Sequence, residues 1–237
     1  MLTVVAAVIV DHGEVLCVQK PQTKYAYTAY HWEYPGGKVE PGETEPEALM
    51  RELREEMDYP ICVHGLLSTV EHTYPDFSIR LRLYLCTPAN LAQPRAFLLK
   101  EHNAFLWLPL YEVPFIADHD SLHQSWCEAD HILPPDESIV DHLPQSLLRN
   151  EKQRITPFQR DVWRAICRIP YGETRTYTQL AAMAGHPRAI RAVASACGAN
   201  PLPYYIPCHR VVATHGIGGY AFGVDVKKRL INYHQQG

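Results

Sequence analysis

Near residue 134 the apolar residues of this chain change their period. Before that point the pattern is strand-like. Residues 2–10 and 14–19 run or alternate apolar around Asp11-His12-Gly13, a hairpin signal, and in "FSIRLRLYLC" Ile79, Leu81, Leu83 and Leu85 alternate with Arg80, Arg82 and Tyr84, within a strand-rich region from about Ile61 to Cys86. After it the pattern is helical. "TPFQRDVWRAICRIP" has Thr156 placed to cap and Pro157 at the first helical position, "TYTQLAAMAG" ends at Gly185, and "HPRAIRAVASACG" opens at Pro187 and ends at Gly198. Between the two lies "LPPDESIVDHLPQSLLRNEKQR", rich in proline and mixed charge, which reads as a linker with a short helix in it. The pattern predicts two domains: α+β over residues 1–133 and mainly α over 155–237, joined by 134–154. Two short helices joined by Gly-His-Pro make the second domain a helix-turn-helix candidate.

Charge divides at the same place. Residues 1–133 hold 9 Lys and Arg against 19 Asp and Glu, a net of −10, whereas residues 155–237 hold 10 against 3, a net of +7. The acidic half repels a polyanion unless metal ions intervene, and the basic half attracts one through its phosphates. The seven cysteines, at 17, 62, 86, 127, 167, 197 and 208, are odd in number and scattered, with no C-x-x-C pair, so neither a disulfide framework nor a zinc site is implied and a reducing cytoplasm is expected. The apolar start has no basic segment before it and runs directly into Asp11-His12-Gly13, as a strand and turn rather than a signal peptide. No stretch is long enough to span a membrane, so no membrane partner is expected.

One helix of the first half is strongly specified. Thr44 can cap it, Glu47 can reciprocate from three residues on, Pro46 is tolerated in the first turn, and Leu49, Leu53 and Met57 form its apolar stripe. Glu52, Glu55 and Glu56, at i, i+3 and i+4, share one face beside that stripe. Taken alone, such a face is either solvated or gathered around a cation. The loop "PGGKVEPGE" just before it has glycines that let the backbone approach a ligand at fixed distance from the helix, which favours the cation.

The stretch Gly37 to Tyr59, "GKVEPGETEPEALMRELREEMDY", resembles the box of the Nudix hydrolases: a glycine, five residues, a glutamate, seven residues, then R-E-U-x-E-E-x-G-U with U apolar. Gly37, Glu43, Arg51, Glu52, Leu53, Glu55 and Glu56 fall in register, and Asp58 stands where that family has the glycine that ends the helix. The resemblance implies a mixed sheet between helices and cleavage of a nucleoside diphosphate linked to another group. It also implies Mg²⁺ (or Mn²⁺) on Glu52, Glu55 and Glu56, with Glu55 and Glu56 catalytic; oxygen-only ligands suit those ions. Arg51 and Glu43 are expected to hold the loop to the helix. "HWEYPGGKVEPGE" looks like the mutator-type branch, which removes oxidised dGTP or modified dCTP and releases pyrophosphate. On that likeness Glu101 joins the metal ligands, Lys38 contacts substrate, and Asp118 reads the base edge unless it is a surface aspartate; Trp32 and Trp107 are expected in the core.

In the second half "LPYYIPCHRVV" sets Cys208 directly before His209 and Arg210; a lone cysteine reads first as a buried structural one, and these neighbours can instead favour a nucleophilic thiolate, though adjacency alone does not decide. On a strand adjacent residues face opposite ways, so His209 needs a turn or a bridging water to reach the sulfur. "PYGETRTYTQLAAMAG", "RAVASACGANPLPYYIPCHRVV" and "GGYAFGVDVKK" follow, in order, the C-terminal DNA-binding domain of the O6-alkylguanine-DNA alkyltransferases, which this segment resembles through the "PCHR" motif. The resemblance implies Cys208 as alkyl acceptor, His209 as its water-mediated base, and Asn200 and Tyr177 as neighbours in the site. It implies Arg191 as the finger that replaces an extruded base and Tyr220 as a contact to that base.

Helix 187–197 carries Ala189, Ala192, Ala194, Ser195 and Ala196, small enough for its axis to approach a duplex, with Arg188 and Arg191 on its exposed face; a packed core helix is the other reading of the alanines. Two positions depart from the family: Ala194 replaces the glycine after "RAV", and the C-terminal glutamate that orients the histidine is absent, His234 falling at about its place. Without that carboxylate His209 is a poorer base and Cys208 less thiolate-like. The combined expectation is a bifunctional DNA-damage protein acting on a nucleoside triphosphate and on double-stranded DNA. The alternative is a Nudix hydrolase whose second domain only binds DNA or alkylated bases.

Overall fold

A computed structural model describes residues 1–25, 29–90, 93–97, 99–110, 137–148, 154–203 and 205–236. The chain forms two compact units, Met1–Leu133 and Pro134–Gly237. Among the described residues no helix is long and apolar enough to cross a membrane.

The first unit is built on β1 (Leu2–Asp11), whose Val5 to Val10 are buried almost completely, as a strand covered on both faces must be. β1 pairs antiparallel with β2 (Glu14–Gln19) at Val10↔Val15 and Asp11↔Glu14. His12 and Gly13 close that hairpin at φ 48° and 81°, the two positive angles that a two-residue turn of matching twist requires. On its other side β1 runs parallel to β6 (Ser78–Pro88), from Leu2↔Ile79 to Ile9↔Cys86, and β6 pairs antiparallel with β5 (Ile61–Thr73). The short β3 (Trp32–Glu33) and the longer β7 (Ala104–Pro109) add to β2, and β4 (Gly36–Lys38) adds to β1. The sheet is therefore mixed.

One helix, α1 (Glu45–Met57), lies against it. The Thr44 hydroxyl accepts from the Glu47 amide while the Glu47 carboxylate accepts from the Thr44 amide at 2.8 Å, and Ala48, Leu49, Leu53 and Met57 turn inward onto Val5, Ala7 and Ile9. Trp107 packs against the same core and donates from Nε1 to the Arg95 carbonyl at 3.0 Å. The helix ends at Asp58, which takes the left-handed conformation (φ 50°, ψ 40°) and donates its amide to the Arg54 carbonyl at 3.1 Å. Aspartate thus makes the turn that a glycine would make with less strain.

The second unit is mainly helical: α2 (Pro157–Cys167), α3 (Tyr177–Met183), α4 (Ile190–Gly198) and α5 (Val224–Gln236), with a two-stranded parallel ribbon of β8 (Arg175–Thr176) and β9 (Val211–Val212). α2 and α3 each begin with a reciprocal cap, Thr156 with Gln159 and Thr176 with Gln179. Trp163 is fully buried and donates from Nε1 to the Ala196 carbonyl at 2.9 Å, fastening α2 to α4.

Two sequence expectations change here. The third helix of this unit starts at Ile190, not Pro187. Ala189 has non-helical angles (φ −101°, ψ 35°) and donates its amide to the His186 carbonyl at 2.9 Å, so residues 186–189 are a turn and Arg188 precedes the helix that carries Arg191. Within the stretch read as a linker, Glu137–Asp141 forms a 3-10 turn whose Ile139 and Val140 are fully buried. Arg168 bonds Glu137 at 2.7 Å, Arg160 donates to the Val140 carbonyl at 2.5 Å, and Arg164 pairs with Asp141, so this segment folds onto α2.

Replacing Asp58 by glycine should relieve the left-handed strain and remove a negative charge from the helix C-terminus. A gain of about 0.5–1 kcal/mol in the first unit's stability is expected in thermal denaturation.

Candidate active sites

In the first unit β4 and α1 are brought unusually close. A Cβ on Gly36 would lie 2.2 Å from the Val5 carbonyl oxygen, and one on Gly37 would lie 2.3 Å from the carboxyl carbon of Glu52. Glycine at both positions lets the strand run between β1 and the acidic face of the helix. Arg51 then locks loop to helix. Its Nε and Nη2 donate to the two Glu43 oxygens at 3.1 and 2.7 Å, its Nη2 also to the Lys38 carbonyl at 3.1 Å, and its Nη1 lies 3.2 Å from both Glu52 and Glu55. The guanidinium holds the Glu43 carboxyl below the usual carboxylate range.

The carboxylates differ in their surroundings. Glu55 is exposed, Glu52 is largely covered beside Gly37, and Glu56 is half-buried with one oxygen, Oε2, buried and without a hydrogen-bond partner. Burial, followed by repulsion from Glu52, Glu101 and Glu33, pushes the Glu56 carboxyl up to about 7 against an opposing pull from His102. Glu101 comes near because the Lys100 amide donates to the Glu56 carbonyl at 2.9 Å, pinning the segment before β7 to the end of α1.

Glu33 and His102 are the members that sequence spacing did not point to. Glu33 reaches the site by pairing of β3 with β2 (Val18↔Glu33), holds Lys20 at 2.7 Å, and lies 3.9 Å from Nε2 of the nearly buried His102. Lys38 is exposed and only its carbonyl is engaged by Arg51. Asp118 lies outside the described residues. Among the described residues no three acidic, histidine or cysteine side chains converge closely enough to form a finished ion cage. What is present is a set of mutually repelling carboxylates around an oxygen with no donor, an arrangement that a hard divalent cation fits.

In the second unit Cys208, His209 and Arg210 form a 3-10 turn, not a strand, and all three are buried. The Cys208 amide donates to the Ile206 carbonyl at 2.7 Å, and its sulfur accepts from Nδ2 of Asn200 at 3.1 Å. Asn200 is committed on every side: Nδ2 also donates to the Ile206 carbonyl at 2.7 Å, and Oδ1 accepts from the Leu202 amide at 3.0 Å. Burial pushes the Cys208 thiol up, opposed by the Asn200 hydrogen bond and by Lys227. The Tyr177 and Tyr220 hydroxyls are both pushed up by burial and by proximity to Cys208, so both lie in the sulfur's field, and the Tyr220 hydroxyl is buried without a hydrogen-bond partner. Asn200, Tyr177, Tyr220 and the thiol are therefore gathered in one place.

α4 presents two unlike faces. Val193, Ala196 and Cys197 are buried, while Arg191, Ala192, Ser195 and Gly198 are exposed, as is Arg188 before the helix. The small residues thus divide between core and surface. Ser195 donates back to the Arg191 carbonyl at 3.2 Å, so it adds little bulk to the open face.

Comparison with known proteins follows the same division. The model of the NUDIX domain matches residues 1–129, and that of the 6-O-methylguanine DNA methyltransferase DNA binding domain matches residues 157–236. A probable methylated-DNA–protein-cysteine methyltransferase of Acanthamoeba polyphaga mimivirus is 52% identical over 81 residues, 34% of this chain and 54% of the relative. The Methanosarcina barkeri methylated-DNA–protein-cysteine methyltransferase is 51% identical over 81 residues, 34% and 51% of the two chains. The chain spans about half the length of these curated relatives. Among solved structures the E. coli ORF135 protein shares 32% identity at a TM-score of 0.40, covering 48% of this chain and 78% of its own. The Mycobacterium tuberculosis OGT in complex with DNA shares 44% at 0.34, covering 35% and 52%.

The raised Glu56 carboxyl has a consequence for stability. Its proton is held to about pH 7 in the folded unit but given up near 4.5 when unfolded, so stability falls as pH rises through that window. In EDTA, Glu56→Gln should exceed the unaltered chain by about 1–3 kcal/mol at pH 8. The difference should vanish by about pH 4.5 in paired denaturation curves.

Proposed function

The chain belongs to the Nudix family, with a methyltransferase DNA-binding domain behind the Nudix domain, and on that premise we propose that it protects genetic information at two stages. The first unit hydrolyses oxidised or otherwise modified nucleoside triphosphates to release pyrophosphate. The second takes an alkyl group from O6-alkylguanine in double-stranded DNA.

For the first unit the observation that carries the reading is the donorless Glu56 oxygen amid Glu52, Glu101 and Glu33. Glu52, Glu55, Glu56 and Glu101 would hold Mg²⁺ or Mn²⁺. The bound ion would neutralise the polyphosphate and polarise its phosphoryl oxygens. Arg51 keeps the acidic face at a fixed distance from the β4 loop, so a triphosphate lying along that loop meets carboxylates already in place. Lys38, exposed on the same strand, is available to the phosphates, and Asp118 is the proposed reader of the base.

For the second unit it is the hydrogen bond from Asn200 to the Cys208 sulfur, which aims the thiol and steadies its charged form. A guanine in a duplex must leave the stack to reach a thiol, and Arg191 on the open face of α4 would fill the gap it leaves. Arg188 and Ser195 would lie along the backbone, and Tyr220 against the flipped base. The Cys208 proton passes to His209 through a water. The sulfur's electron pair bonds the alkyl carbon as the carbon–O6 bond breaks, and the electrons left on guanine take up the returned proton. The thioether does not revert, so each chain acts once.

Duplex carrying O6-methylguanine should leave one methyl group on the Cys208 peptide by mass spectrometry. The sequence also carries His234 where the family has a glutamate, which favours a second reading, a lesion sensor that binds without transfer. An unmodified Cys208 in a protein that still retards the duplex would establish that reading instead. Pyrophosphate release from a panel of modified dGTP and dCTP with Mg²⁺ should fall by about a thousandfold in Glu56→Gln; full activity in that variant would exclude the metal assignment.

A further inference from the structure

One histidine of the second unit stands where three helices meet. The His186 amide donates to the Ala181 carbonyl at 2.8 Å, and the Gly185 amide to that of Ala182 at 3.0 Å, the two bonds that end α3 around Gly185 at φ 80°. Its carbonyl accepts from Ala189, the residue before α4, at 2.9 Å. Its ring leaves this turn for α2: Nε2 donates to Oδ2 of Asp161 at 3.1 Å, and the ring centre lies 4.8 Å from that of Phe158. The other Asp161 oxygen lies 3.8 Å from Nη1 of Arg164, which is itself paired with Asp141. Trp163 already fastens α2 to α4 at Ala196. The Asp161–His186 pair ties α2 to the other end of that helix, where Arg188 and Arg191 stand exposed.

We infer that His186 is a positioning residue for DNA binding: held by Asp161, it fixes the turn that sets Arg188 and Arg191 against the duplex. This inference rests on the reading of α4 as the DNA face. Both side chains of the pair are partly exposed, so water screens them and their bond adds little to the stability of the fold. Its effect on binding is of another kind. A released turn leaves the arginines facing the groove in only a fraction of the molecules, and apparent affinity falls by that fraction. His186 is not itself a phosphate contact, because Nε2 is spent on Asp161 and the carboxylate beside it repels a phosphate. In a unit of net charge +7 Asp161 lowers the field that the duplex meets. It steadies the surface that meets the duplex.

The test is a double-mutant cycle on the full chain, read as the Kd for an unmodified duplex by fluorescence anisotropy. His186→Ala should weaken binding about fivefold in the unaltered chain but less than about twofold once Asp161→Ala is present. His186→Gln, whose amide reaches the same carboxylate, should bind within about twofold of the unaltered chain. Alkylation of Cys208 by iodoacetamide, which needs no DNA, should be the same in every variant. An equal loss from His186→Ala in both backgrounds marks a direct phosphate contact and overturns the inference, as does no loss in either. Should His186→Ala fail to fold, His186→Asn, too short to reach Asp161, takes its place in the cycle. If the unaltered chain binds no duplex, the reading of α4 fails, and the hold of Asp161 on the turn is decided without DNA. Deuterium exchange at the Ala189 amide should then be about fivefold faster in Asp161→Ala than in the unaltered chain, and equal rates refute that hold.

Discussion

Taking a carboxylate or an ammonium out of water costs several kcal/mol unless charge or hydrogen bonds return it, and each unit accepts that cost beside its candidate site. In the first it is Glu56, set at the end of α1 with Glu52, Glu101 and Glu33 around it and a single opposing pull from His102. In the second it is Lys227 with the Cys208 sulfur nearby. The rest of each unit can be read as the scaffold that makes the burial possible. α1 can hold Glu56 half under cover only because Leu49, Leu53 and Met57 anchor its other face. Lys227 can be sealed only because the ribbon of β8 and β9 and the Tyr220 loop close over it.

The parts legible from the residues alone are those governed by local rules. Thr44 and Glu47 specify where α1 begins, since a capping box needs only four neighbouring residues, and spacing of 100° per residue puts Glu52, Glu55 and Glu56 on one face. Asp11-His12-Gly13 specifies the hairpin for the same reason. Pro187 looked like a helix start because proline is tolerated there, yet the turn closed by His186 and Ala189 takes precedence and delays α4 to Ile190. Glu33, His102 and Lys227 were not legible as members of any site, because strand pairing and loop closure bring them in from elements with no fixed spacing to the motif residues. The burial of Ile139 and Val140 was hidden likewise, as only contact with α2 makes a short proline-flanked segment part of a core.

The division of charge between the units takes on chemical sense beside these sites. An acidic first half repels long polyanions, so a small triphosphate with its counterion is a more suitable visitor than a nucleic acid. The basic second half has the opposite preference, and α4 offers it a face of Arg191, Ala192, Ser195 and Gly198 on which little bulk stands between backbone and solvent. Val193, Ala196 and Cys197 hold the other side of that helix in the core, so the open face is presented by a rigid support.

The parallel pairing of β1 with β6 also governs when the first unit can assemble. Leu2 waits for Ile79, and until then β1 has only the two pairs with β2 at the hairpin mouth and the three with β4, Val4↔Lys38 to Ala6↔Gly36. During synthesis the acidic helix therefore emerges with its own caps onto a partial sheet of β1 to β4, and an isolated helix of 13 residues is marginal in water. Glu101 comes later still, so its crowding of Glu56 would begin only when the segment before β7 docks on the end of α1.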